Sequence, residues 1–126
     1  MDKNNKRPRY LNLFKIKMPV TAVLSIAHRA SGLLMVIAIP FVIYVFQRSV
    51  SSAQEFDAVM NLVKQPWVVI ILIIISWSFC HHFIAGIRFL LIDIDIGVEK
   101  KAARWTAWIT HIVAITATIC IAGVLI

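Results

Sequence analysis

Charge is scarce in this chain, and acidic charge scarcest: Asp and Glu number 6 among 126 residues, against 13 Lys and Arg. Charged residues make up 15% of the sequence, while 60% are hydrophobic. Cysteine is almost missing. Cys80 and Cys120 both fall in apolar stretches, where a free thiol behaves as a small hydrophobe rather than as a disulfide partner or metal ligand. The chain has no internal repeats, no low-complexity tract and no polar stretch long enough for a soluble domain. A nucleotide-binding fold or a catalytic domain of ordinary size has no room.

What is present is three long apolar blocks, about 18–46, 67–92 and 105–126, in a chain of mean hydropathy +0.85. A bilayer core needs about 20 residues of helix, and barrel strands would be shorter and alternating. The expectation is an all-α membrane protein with three transmembrane helices. The first block is too long, and too polar at its start, for a signal-peptide core, and no small-residue cleavage site follows it. Pro19 and Pro66 suit helix starts, Pro40 lies where it would kink the first helix, and Gly97 suits a helix stop. Between the first two blocks, Phe56, Val59 and Met60 mark a short amphipathic stretch.

The net charge of +7 is distributed as a topology signal. Lys3, Lys6, Arg7, Arg9, Lys15 and Lys17 crowd the amino-terminal tail, residues 1–17. Arg88, Lys100, Lys101 and Arg104 surround the second connection. In the first connection Arg48 and Lys64 are balanced by Glu55 and Asp57. The positive-inside rule then puts the amino terminus and second connection in the cytoplasm, with 18–126 as the membrane domain. The basic residues serve topology and lipid headgroups, not nucleic acid.

Against this background two polar clusters stand out: Ser25, His28, Arg29 and Ser31 in the first block, and Cys80, His81, His82 and Arg88 in the second. An ionisable group at such depth costs roughly 2.5 kcal/mol or more unless it is paired, solvated or ligated. Helical rise puts Arg29 about 15 Å and His82 roughly 16 Å from the same surface, so the clusters meet. Ser25, His28, Arg29 and Gly32 follow i, i+3, i+4, i+7 and share one helix face. His82 shares a face with Gly86, and His81 shares a neighbouring one with Arg88.

A histidine at mid-membrane, a glycine beside it and cations nearer the water point to a flat group, haem. Imidazole ligates its iron, and Arg or His partners its propionates. Arg88, nearer the cytoplasmic surface on the same helix as His82, is a candidate haem-binding residue. The competing reading is a pair of histidines that only hydrogen-bond between helices. A small transporter or channel subunit, using Arg29 and the histidines as a relay, also remains open. His111, about 9 Å into the third block, reads as structural. Trp105 and Trp108 read as interfacial anchors.

The segment RPRYLNLFKIKMPVTAVLSIAHRASG, Arg7 to Gly32, resembles the amino-terminal signature of the cytochrome b (large membrane-anchor) subunit of succinate dehydrogenase. HHFIAGIRFLLID, His81 to Asp93, looks like that family's second signature. The resemblance implies half of a heterodimeric helix-bundle anchor in a bacterial or mitochondrial inner membrane. It would pass electrons from succinate oxidation to quinone, ubiquinone by preference. It implies a haem b shared with a smaller anchor subunit, together with flavoprotein and iron–sulfur partner subunits that carry the remaining redox chemistry. His82 would be the axial ligand, chosen over His81 by its four-residue spacing to Gly86. Ser25 and Arg29 would form the quinone site, with Met18, Pro19 and Ile26 lining it, and His28 and Arg29 would meet the propionates. Phe89 stands where many relatives have histidine, and His81 where tyrosine is common. A fumarate reductase anchor, running the reverse reaction, is the nearest alternative.

Overall fold

The computed structural model describes residues 17–125, all of whose regular structure is helical: α1 Val20–Ser49, α2 Ala53–Val63, α3 Pro66–Asp93 and α4 Lys100–Leu125. The expectations for the basic tail fall outside the described residues, apart from Lys17. Helices α1, α3 and α4 are each long and apolar enough to cross a membrane. At 30 residues, α1 is about 45 Å long and exceeds a hydrocarbon core of about 30 Å.

Pro19 is the N-cap of α1, where its carbonyl accepts from Ala22 N at 2.9 Å and Val23 N at 3.2 Å. The helix assignment continues through Pro40 and runs to Ser49, beyond the apolar block. Its last carbonyls explain the extension. Phe46 O accepts from Ser49 Oγ at 2.7 Å and Val50 N at 3.3 Å. Arg48 sits at this carbonyl-rich end, where a cation is favoured, and is ion-paired with Glu55.

The amphipathic stretch is a true helix, α2, that buries Val59. Ser52 caps it by accepting from Glu55 N at 3.1 Å. The Ser52–Glu55 spacing is that of a capping box, yet the Glu55 carboxylate goes to Arg48, tying the end of α1 to the start of α2. Replacing Ser52 by Ala removes about 1 kcal/mol of cap. Amide exchange through 53–56 is then expected to quicken about fivefold by mass spectrometry, since α2 opens locally.

The stop of α3 differs from expectation. Asp95, not Gly97, takes the left-handed position at φ 63. Ile96 N then donates to Leu91 O and Asp95 N to Ile92 O, each at 2.9 Å, the paired bonds of a Schellman ending. Aspartate tolerates this conformation through its short polar side chain, and Gly97, at φ 79, continues the turn. Helix α4 likewise starts at Lys100 rather than Trp105. Lys, Ala and Arg are strong helix formers, so the helix begins ahead of the apolar block.

Helix α3 packs against both α1 and α4. The seams are built from small residues, which lets helix backbones approach where lipid offers no hydrophobic drive. Leu24, Ser31 and Ala38 recur every seven residues on α1, and Ala107, Thr110, Ala114 and Thr118 line α4. Leu24, Ala85 and Ala107 form the shared core, with Val20 and Phe89 packed on it. Ser78, Thr110 and Thr118 bond back to carbonyls one turn earlier, which satisfies their hydroxyls in an apolar setting. Large side chains such as Phe41, Phe79 and Trp105 face outward.

Candidate functional site

The two polar clusters, 49 residues or more apart in sequence, meet where α1 crosses α3. The His28 and His82 rings stack face to face, with centroids 4.1 Å apart and planes within 9°. Each histidine lies over a glycine of the opposite helix. A Cβ on Gly32 would come within 2.9 Å of His82 Cε1, and one on Gly86 within 3.6 Å of His28 Nε2. The crossing is therefore closed by reciprocal imidazole–glycine packing. Phe89 sets its ring against the edge of His28 at 5.1 Å.

The hydrogen bonds decide what His82 has left to offer. Its Nδ1–H donates to His28 O at 3.0 Å. Ser31 Oγ, buried beside it, donates to the same carbonyl at 2.8 Å and lies 3.5 Å from His82 Nδ1. With the proton held at Nδ1, the Nε2 lone pair is free, and among the described residues it has no hydrogen-bond partner. A carbonyl on the far nitrogen is the usual way a protein orients a metal-ligating imidazole and fixes its tautomer. The donor set, an imidazole oriented through Nδ1 with its second nitrogen unengaged, fits a ligand to haem iron. Ser31 belongs to the sequence cluster, but its support of His82 was legible only once its place on the Leu24–Ser31–Ala38 stripe was known.

On the outer side of the crossing, Arg29 Nη2 donates to Ser25 Oγ at 3.2 Å. The guanidinium is exposed and folds back one turn along its own helix. Because Ser25 Oγ accepts from Arg29, its own hydrogen is available to donate outward. Ile26 and Pro19 are exposed on α1 and at its start.

Two candidates are placed elsewhere. Met18 lines a groove of about 410 Å³ with Val20, Val23, Trp108, His111 and Ile115, a set that includes neither Ser25 nor Arg29. Val23 and Ser25 are two residues apart, about 200° around the helix, so they face opposite ways. Arg88, 7% exposed, turns into the α3–α4 seam instead of joining His28 and Arg29. Its Nε donates to Thr106 Oγ1 at 3.0 Å and its Nη2 to Ala103 O at 2.9 Å. His81, on the same face of α3 as Arg88, also points to α4, where it meets His111.

Comparison with known proteins gives the arrangement its context. Residues 3–121 match the family described as succinate dehydrogenase/fumarate reductase transmembrane subunit. The succinate dehydrogenase cytochrome b556 subunit of Coxiella burnetii is 33% identical over 122 residues, covering 96% of this chain and 97% of that one. The subunit of the same name from Rickettsia prowazekii is 31% identical, covering 90% and 89%. That from Paracoccus denitrificans is 30% identical, covering 78% and 75%. The matches favour neither a transporter nor a channel. The chain belongs to the succinate dehydrogenase/fumarate reductase transmembrane subunit family, as a multi-pass, inner-membrane cytochrome b subunit that anchors the oxidoreductase complex.

Proposed function

We propose that His82 Nε2 is this chain's ligand to a haem b shared with a second, smaller anchor subunit, and that Ser25 and Arg29 bind the quinone. The observation that carries the reading is the His82 imidazole, packed on Gly32 with its Nδ1 held by the His28 carbonyl and its Nε2 without a partner among the described residues. The amino terminus and the α3–α4 connection face the cytoplasm, where the peripheral flavoprotein and iron–sulfur subunits dock and oxidise succinate. A bound haem would supply a one-electron iron couple; His28 and Arg29 would hold its propionates, while Arg88 serves the α4 seam.

The residues of α1 divide the quinone chemistry between them. Ser25 donates its hydroxyl hydrogen to a quinone carbonyl, polarised by the Arg29 guanidinium behind it. Arg29 stabilises the negative charge that develops on that oxygen as electrons arrive, an interaction strengthened where water is scarce. Ile26 offers apolar contact to the ring, and Pro19 fixes where α1 begins. Met18 borders the quinone space from the opposite groove or not at all, and Met18→Ala distinguishes the two through KM. The protons come from water or partner groups, since neither Ser25 nor Arg29 can donate one outright at neutral pH. The relatives favour succinate oxidation over fumarate reduction as the working direction.

The complex purified from membranes should show a b-type reduced-minus-oxidised spectrum and contain flavoprotein and iron–sulfur subunits. A chain that purifies without either contradicts the reading. The two glycines give a finer test. Gly32→Ala gains up to about 1 kcal/mol of helix propensity but forces the stacked His82 ring aside, so it should shift the haem spectrum. Gly86→Ala adds only an ordinary contact and should leave that spectrum unchanged.

A further inference from the structure

His81 and His82 are adjacent imidazoles on one helix, about 100° apart, and chemically equal as iron ligands. The structure treats them in opposite ways. His82 has Nδ1 engaged, and its Nε2 has no partner among the described residues. His81 has Nε2 engaged, 3.3 Å from His111 Nδ1, with the rings 5.2 Å apart and tilted by 35°. Its Nδ1 is sealed without a partner in a residue only 1% exposed. His111 Nε2 is equally buried and unpartnered. Trp77 covers His81 at 5.3 Å, and Trp108 lies against His111 at 6.4 Å.

A pair that leaves two buried nitrogens unsatisfied is a poor choice for stability alone, because two apolar side chains would fill the same seam without that penalty. The pair does fix the rotation of α3. It grips the helix at His81, and Arg88, seven residues on and on the same face, grips it again through Thr106 and Ala103. With α3 held at two points against α4, His82 is the imidazole presented to α1.

We propose that His111 is a positioning residue that selects the haem ligand: by occupying His81 Nε2 it keeps His81 away from iron and leaves His82 as the sole donor. This rests on His82 being the ligand. The unwanted competitor stands one residue away, and its ligating nitrogen is the one that His111 occupies. Among the described residues nothing comparable engages Nε2 of His82.

The test uses the intact membrane complex, with haem-to-flavin ratio and low-temperature EPR of the oxidised haem as readouts, and needs no turnover. His111→Leu should give a second low-spin signal carrying up to roughly a tenth of the haem, the population expected of a competing minor state. His81→Leu/His111→Leu should return to one signal. His82→Leu should lose the low-spin haem, and His82→Leu/His111→Leu should regain part of it through His81. A single wild-type signal in His111→Leu, together with no recovery in that double variant, overturns the proposal. Should His111→Leu not assemble, His111→Ala, smaller and less demanding of the seam, is read in the same way. A wild-type signal in His82→Leu alone instead overturns the assignment of His82 and is thereby distinguished.

Discussion

His82→Leu is expected to leave an assembled complex with its b-type haem signal reduced roughly tenfold or more. Changes even to the outer partners of metal ligands cost roughly 10- to 100-fold in affinity, so loss of the ligand sets a lower limit on the effect. The variant removes the imidazole at the α1–α3 crossing whose Nδ1 is held by a carbonyl and whose Nε2 has no hydrogen-bond partner among the described residues, and His28 is badly placed to replace it. The His28 ring is already stacked on His82, edged by Phe89 and floored by Gly86. Leucine fits the membrane and leaves no buried polar group, so α3 still folds. The haem-to-flavin ratio of the purified complex is the measurement. A ratio equal to wild type would move the ligand elsewhere.

The second large effect concerns α1. Arg29→Gln should lower succinate–quinone reductase activity by roughly 100- to 1,000-fold, the range for removing a donor aimed at developing oxyanion charge. Succinate oxidation with an artificial acceptor, which draws electrons before the membrane, should be unchanged. The glutamine amide ends two bonds short of the Arg29 Nη2 that reaches Ser25, so the loss reports the charge together with the Ser25 contact. Arg29→Lys should recover part of the rate, since it restores the charge without the fork geometry. Equal loss of both activities would indicate failed assembly, and loss of neither would remove Arg29 from the quinone site.

Much of this site is legible in the sequence because intramembrane polar residues are costly and rare. The i, i+3, i+4, i+7 spacing of Ser25, His28, Arg29 and Gly32 defines one face, and equal depth brings His28 to His82. What the spacing leaves open is the rotation of α3. His82 and Arg88 are six residues apart, so they lie about 120° from each other around the helix. A helix held between two neighbours must send them to different ones. The fate of Arg88 and His81 therefore depends on α4, whose Thr106 and His111 carry no motif of their own. Met18 was drawn toward the quinone site by resemblance, whereas Val20 and Val23 beside it turn to the far groove.

The element boundaries teach a related lesson. Apolar blocks report where a membrane would be, not where hydrogen bonding starts and stops. Helix α4 begins five residues before Trp105 and α1 ends three residues after Phe46, both on polar sequence. Asp95 took the left-handed position expected of Gly97 because the Schellman bonds to Leu91 and Ile92 require it there. The Ser52–Glu55 spacing was a readable cap signal for α2, and its second half was diverted to Arg48.

Haem ligation by one defined nitrogen is the claim on which the rest depends. A density map of the whole membrane complex at side-chain resolution tests it directly. The account predicts iron bonded to His82 Nε2, with Nδ1 still on the His28 carbonyl and His81 still turned to His111. Iron on His81, or His28 and His82 stacked on each other with no porphyrin beside them in the assembled complex, would contradict it.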